Sequence, residues 1–337
     1  MITMKHIGAL FTLFLSLSLL AQEEVEPIQA YFDYKNFHAP GQGAYIETYL
    51  SITGHTIDYK PNQHGRLQGE VEVLQIVKSK DSIVDFKKYN LKSPVIGADS
   101  AIVDFVDQQR WLLKPGIYTY ELEIADLNND EKEPIKTQLP IEVKGVTPNK
   151  VNISDVELLQ SFKKSDMHSQ WTKSGYEVVP YVTNYYPAYT GKIAYYAEIY
   201  NTEEVVGKEN RYVVLQYIEK KVTGTRMEQY SKFTKHSTEK VNVVFSSFDI
   251  EELPTGEYNL VIELRSSGNK LIAMKKQAFD RLNPIATPDL DALADVDFSG
   301  SFAADFASED SISEAIRCLQ PIANDLEVSI IQMQLET

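Results

Sequence analysis

The sequence holds one cysteine, Cys318, and two tryptophans in 337 residues. A single thiol excludes a disulfide framework and any cysteine-based structural zinc site. Positive charge is scarce as well: 33 Lys and Arg stand against 48 Asp and Glu, a formal net charge of −15. Nucleic acid is therefore disfavoured as a partner, because neutralising phosphates takes clustered Lys and Arg. After residue 21 no apolar run approaches the roughly 20 residues needed to cross a bilayer, so no integral membrane span is expected in the mature chain. The usual chemical signatures are missing too. There is no Gly-x-Ser-x-Gly elbow, no phosphate-cradling loop ending in Gly-Lys-Ser/Thr, no His-Glu-x-x-His and no dinucleotide glycine fingerprint. The chain reads as non-enzymatic, with no catalytic residue, no cofactor and no metal site.

The amino terminus reads as an export signal. Lys5 is followed by an apolar stretch from Ile7 to Leu20, broken only by Gly8, Thr12, Ser16 and Ser18, and Ala21 suits the position before a cleavage site. Residues 1–21 are expected to be a signal peptide, with the mature protein starting near Gln22. Export without disulfides suits the bacterial cell envelope, in the periplasm or associated with the outer membrane.

With 43% hydrophobic and 24% charged residues the composition is globular, and the length is too great for one core. From Gln29 to Phe279 apolar and polar residues alternate with period two. Ala44–Ile52, Leu67–Val77, Ile117–Ile124 and Ile135–Val146 read as strands, as do Lys192–Asn201, Arg211–Glu219, Lys240–Ser246, Tyr258–Leu264 and Lys270–Phe279. Turn residues separate them, without interleaved helices, which predicts antiparallel sandwiches. Two short patterns occur twice. Tyr45-x-Glu47-x-Tyr49 and Pro115-Gly116-x-Tyr118 in the first half match Tyr196-x-Glu198-x-Tyr200 and Pro254-x-Gly256-x-Tyr258 in the second. A Tyr opening a late strand is the corner of immunoglobulin-like sandwiches, where its hydroxyl ties back to upstream backbone. The expected fold is mainly β: two tandem immunoglobulin-like antiparallel sandwiches, residues 22–146 and 147–282, with the boundary in Gly145–Lys150. A linker and short acidic α-helical tail follow at 283–337.

The tail carries eleven acids from residue 284 onward against Arg317 alone. Ser311-x-x-Glu314 opens a helix bearing Ile312, Ala315, Ile316 and Leu319, and Pro321 starts a second bearing Ile322, Leu326, Ile330 and Met333. That helix reaches Thr337 without a stop signal, so the chain reads as cut short. Asp289–Asp310, the more acidic part, is expected to be loosely ordered, and the helices after Ser311 to dock or pair. Cys318, between Ile316 and Leu319, reads as a packed thiol.

Two metal-like patterns have plainer explanations. Asp126-x-Asn128-x-Asp130 has alternating oxygens like a calcium loop, but Glu131 and Thr137 stand where Gly and an acid belong, so a polar hairpin turn is expected. His55, Asp58 and His64 lack ligand spacing and read as loop residues. Tyrosine is the clearest surface signal. Ala44, Ile46, Thr48 and Leu50 point inward on one strand, and Ile193, Tyr195, Ala197 and Ile199 on its counterpart, leaving Tyr45, Glu47 and Tyr49, and Tyr196, Glu198 and Tyr200, on the opposite faces. Tyr185, Tyr186 and Tyr189 crowd a nearby loop. Tyr45, Tyr49, Tyr185, Tyr186, Tyr189, Tyr196 and Tyr200 are thus the candidate binding residues, either as stacking platforms or as cross-strand pairs that stabilise an exposed sheet.

Several stretches resemble the N-terminal region of the GWxTD-domain proteins of Bacteroidetes. They are Tyr45-x-Glu47-x-Tyr49-Leu50-Ser51-Ile52, Asp107-Gln108-Gln109-Arg110, Leu113-Lys114-Pro115-Gly116-x-Tyr118 with Asp126, Ile153-Ser154-Asp155-Val156-Glu157-Leu158, Val179-Pro180 and Tyr196-x-Glu198-x-Tyr200. Ile312–Leu335, with Leu319-x-Pro321-Ile322, resembles the helical bridge into the name-giving domain, although Gly-Trp-x-Thr-Asp itself does not occur. The resemblance implies an exported envelope protein without a defined catalytic site. The reading is a non-enzymatic binding or scaffold protein whose partner is an envelope protein or a glycan. The alternatives are a carbohydrate-binding module, a two-sandwich periplasmic chaperone, or an accessory part of an enzyme whose catalytic domain lies beyond Thr337.

Overall fold

A computed structural model describes residues 26–97, 101–167 and 169–284, together with Ser308, Asp310, Ser311, Ser313, Glu314 and Cys318. The signal segment, the 289–310 stretch apart from Ser308 and Asp310, and most of both expected tail helices lie outside the described residues. Cys318 is exposed, not packed. It lies four residues after Glu314, which is also exposed, and residues spaced by four share one helix face.

The chain is mainly β, in several antiparallel sheets. Eight strands precede residue 144: β1 (Ala30–Ala39), β2 (Gly43–Ile52), β3 (Tyr59–Pro61), β4 (Leu67–Ser79), β5 (Ser82–Lys92), β6 (Phe105–Leu112), β7 (Gly116–Asp126) and β8 (Ile135–Val143). They form one sheet in the order β1-β2-β6 and another in the order β3-β4-β7-β8, with β5 also paired to β4. Eleven more follow residue 151: β9 (Asn152–Ile153), β10 (Glu157–Lys164), β11 (Thr172–Lys173), β12 (Tyr176–Pro180), β13 (Tyr185–Tyr186), β14 (Lys192–Tyr200), β15 (Arg211–Lys220), β16 (Arg226–Ser237), β17 (Val241–Asp249), β18 (Gly256–Arg265) and β19 (Leu271–Arg281). Their sheets run β11-β12-β10-β14-β17, with β9 on β14, and β13-β19-β18-β15-β16. Every pairing is antiparallel except β13 with β19. Among the described residues no sheet mixes strands from before residue 144 with strands from after residue 151.

The two halves repeat one topology. The order β1-β2-β6 recurs as β10-β14-β17, and β5-β4-β7-β8 recurs as β16-β15-β18-β19. Tyr118, third in β7, donates its hydroxyl to the Lys114 carbonyl at 2.9 Å. Tyr258, third in β18, does the same to the Pro254 carbonyl at 3.0 Å. The second copy adds β11, β12 and β13, which have no counterpart in the first.

Each half closes a core between its two sheets. Ala44, Ile46 and Leu50 on β2 meet Val71, Val73 and Val77 on β4 around Trp111 and Tyr120. In the second half Ile193, Tyr195, Ala197 and Ile199 on β14 meet Val214, Leu260, Ile262 and Phe279. Period two places alternate side chains on one face, and burying each large aliphatic is worth roughly 1.5–3 kcal/mol. The opposite faces of β2 and β14 are largely covered, Glu198 alone among their Tyr-Glu-Tyr residues staying half-buried. They meet each other, through Phe37 and Tyr45 from the first half and Leu159, Val178, Ala194 and Tyr196 from the second. The expectation of exposed Tyr-Glu-Tyr faces is thereby corrected: Tyr45, Glu47, Tyr49, Tyr196 and Tyr200 are all buried, because the neighbouring half covers them.

Candidate functional site

The seam between the halves is held by charge as well as by rings. Lys173, from the short strand β11, reaches Glu47 on β2 and Glu157 on β10, and its ammonium lies 3.2 Å from the Tyr49 hydroxyl. Glu47 also accepts Arg110 Nη2 at 2.7 Å and the Tyr49 hydroxyl at 2.7 Å. The ammonium faces the rings of Phe37 and Tyr196 at 4.5 and 5.1 Å from their centroids, a favourable cation–π geometry. Farther along, Asp155 Oδ2 accepts both the backbone and side-chain amides of Asn36, at 2.9 and 2.8 Å, and the Tyr200 hydroxyl accepts the His38 amide at 2.9 Å. Burial pushes the hydroxyl pKa values of Tyr45, Tyr49, Tyr196 and Tyr200 well up, so these rings stay neutral. The seam fixes the relative placement of the two halves, and the recess in it beside Asn36, Asp155 and Tyr200 is small, about 180 Å³.

Beside the seam lies an open cleft of about 580 Å³. Tyr31, Ser51, Val103, Asp104 and Val106 form the wall from the first half, and Gln160 and part of the 180–189 segment, Tyr181, Tyr185 and Tyr189 among it, form the wall from the second. The cleft takes two of the seven expected tyrosines, Tyr185 and Tyr189, and adds Tyr31 and Tyr181, which sequence reasoning did not single out. Tyr186 does not join them. It is buried in the second core, with its ring edge-on to Phe279. Tyr45, Tyr49, Tyr196 and Tyr200 lie in the seam.

Both walls are built tightly. Gly54 donates its amide to Asp104 Oδ1 at 2.9 Å, and a Cβ there would lie 2.3 Å from the Val103 carbonyl, so only glycine permits this approach. On the other wall the loop bearing Tyr189 is held by Arg281, a buried guanidinium at the end of β19. Its Nη1 donates to the carbonyls of Pro187 and Thr190 at 2.7 and 2.9 Å, and the Thr190 amide closes a turn onto Pro187 at 2.9 Å. Tyr181 adds a hydrogen bond to the Tyr185 carbonyl at 2.6 Å. At the tip of this braced loop Tyr189 is 90% exposed.

The metal-like patterns have other occupations. Asp126 accepts the Asn128 amide at 2.8 Å, a turn closed by its own side chain, and the Asp58 amide at 2.7 Å. The Lys132 ammonium sits among these oxygens, 3.3 Å from Asp58, 3.8 Å from Asp126 and 2.8 Å from the Thr56 carbonyl. Among the described residues no group of three or more His, Cys, Asp or Glu is placed to hold a metal ion, and no helix is long and apolar enough to cross a membrane.

No family model and no curated protein matches the chain. Many solved structures match, three of them as follows. One is a red sea bream transglutaminase, at 11% identity and a TM-score of 0.23, over 75% of this chain and 31% of that one. Another is a DUF4785 family protein from Legionella pneumophila, at 10% identity and 0.21, over 74% and 56%. The third is a Salmonella alpha-2-macroglobulin reacted with methylamine, at 10% identity and 0.21, over 76% and 17%. The chain spans less than two thirds of each, and likeness at this level carries nothing about activity.

Proposed function

We propose that this protein is an exported, non-enzymatic binding protein of the bacterial cell envelope, made of two immunoglobulin-like sandwiches locked together so as to present the seam cleft. The repeated order of three strands against four, with a tyrosine hydroxyl tied to upstream backbone in each copy, supports the immunoglobulin-like reading. The short apolar stretch ending at Ala21, and the motifs that resemble those of GWxTD-domain proteins, support the address. The observation that carries the binding role is Tyr189, an almost wholly exposed ring on a loop that a buried arginine holds still. A preorganised aromatic surface loses little entropy on binding. Two measurements test the proposal. The mass of the mature protein should correspond to a start near Gln22, and hydrogen exchange in the presence of solubilised envelope material should slow at 103–106 and 180–189. Protection elsewhere, or none, would count against the cleft.

A second reading, uptake of an extended protein segment by strand addition, has one observation in its favour. An apolar groove of about 620 Å³ lies between β1 and β8, both of which end their sheets, with the buried Leu50 and Leu122 at its floor. In the same exchange experiment protection centred on 28–32 and 135–139 would select this reading.

A further inference from the structure

Resting on the cleft as the binding site, we infer that its ligand is a neutral oligosaccharide, stacked on Tyr31, Tyr185 and Tyr189. These three rings are 56%, 44% and 90% exposed. Among the described residues none of them stacks on another ring, and none of their hydroxyls makes a hydrogen bond, so each offers a free face and a free polar tip. A pyranose presents the complementary chemistry: an apolar face of C–H groups edged by hydroxyls. Polar groups line the cleft with the rings. The Gln160 side chain and the Ser51 hydroxyl make no hydrogen bond within the described protein, and Asp104 keeps one carboxylate oxygen free after binding the Gly54 amide.

Other ligand chemistries fit less well. Among the described residues no Lys or Arg lines the cleft, so a phosphate or carboxylate would find no countercharge there. Strand addition is disfavoured here, because Pro180 and Pro187 supply no amide donors and β13 is already paired to β19. Three separate rings, on walls from both halves of a cleft of about 580 Å³, suit a ligand of several sugar units rather than one.

The test uses the full chain on an array of neutral and acidic glycans, followed by calorimetric titration of the best neutral oligosaccharide. Tyr189→Ala and Tyr31→Ala, both at exposed positions, should each weaken binding about tenfold, the loss of one stacked ring. Tyr189→Phe, which keeps the ring, should stay within about twofold. Retention of acidic glycans alone, no retention of any glycan, or affinities indifferent to both alanine variants would overturn the inference. A decaproline peptide serves as the counter-probe. Its binding, lost in Tyr189→Ala, would overturn the glycan while leaving the cleft as the binding site. If neither class of probe slows exchange at 180–189, both the ligand and the site fall.

Discussion

Lys173 ends in a buried ammonium that two carboxylates share, Glu47 from the first half and Glu157 from the second. Burial alone would favour its neutral form, but Glu157 and Glu47 outweigh that and raise its pKa. The two carboxylates differ. Burial works to raise the Glu47 pKa, yet Lys173, with hydrogen bonds from Tyr49 and Arg110, holds it below the usual value. For Glu157 burial prevails over Lys173, the charge of Glu47 adds to it, and the pKa is raised; among the described residues its Oε1 has no hydrogen-bond partner. Breaking a buried pair costs about 3–5 kcal/mol, because the surviving charge is stranded. Lys173→Met and Glu47→Gln should each destabilise by about that much, and Glu157→Gln by less than half of it, measured by urea unfolding at neutral pH. The pH dependence separates the two acids. Glu157 binds its proton more tightly folded than unfolded, so its contribution grows as pH falls toward the unfolded value of about 4.3. Glu47 binds its proton less tightly folded, so its contribution is complete above that value and is lost as pH falls through the folded one. Urea midpoints should therefore hold or rise slightly from pH 7 toward 5 and fall below 4. In Glu157→Gln the upper phase should vanish; its persistence would reassign the raised acid.

At the scale of single elements, β7 and β18 open in the same way. Tyr258 is buried and Tyr118 half-buried, so water can replace the Tyr118 hydrogen bond more easily. Tyr258→Phe should cost about 0.5–1.5 kcal/mol and Tyr118→Phe less, by denaturant unfolding; equal and negligible losses would show that the corner hydroxyls contribute nothing. These corners were legible because a Gly-x-Tyr before an alternating run is a local pattern. The strands read from the sequence were those with one face toward a core, such as β4, where Val71, Val73 and Val77 alternate with half-buried residues. Strands without that contrast were not delimited: β5 is exposed along most of its length, and β1 buries Lys35, Asn36 and Phe37 in succession. Alternation placed Tyr45, Glu47 and Tyr49 on the face away from their own core correctly, but it carries no information about a second sheet covering that face. Lys173 left no signal at all. It stands in a two-residue strand, and its partner Glu47 is 126 residues away in sequence. The cleft was half legible, since the crowding of Tyr185 and Tyr189 is local while Tyr31 joins them only through the packing of the halves.

For the whole molecule the seam decides cooperativity. Rings, the Lys173 cluster and the Asn36–Asp155 hydrogen bonds all cross it. The described body should melt in one calorimetric transition, with calorimetric and van't Hoff enthalpies agreeing. Lys173→Met combined with Asp155→Ala should split the trace in two, since the halves keep separate cores; a single transition in that double variant would mean that apolar contact alone couples them. The seam also has a consequence for assembly. The sheet faces that meet are equivalent faces of two copies, the kind of self-matching contact by which identical subunits form an isologous dimer. Here residues 144–151 tether the copies, so each face meets its own chain at an effective concentration that a second molecule in dilute solution does not approach. Only the second copy carries β11, whose lysine serves acids on both sides, so the contact has a polarity that two identical halves would lack. A chain closed on itself in this way has already used the surface through which it would otherwise pair with another.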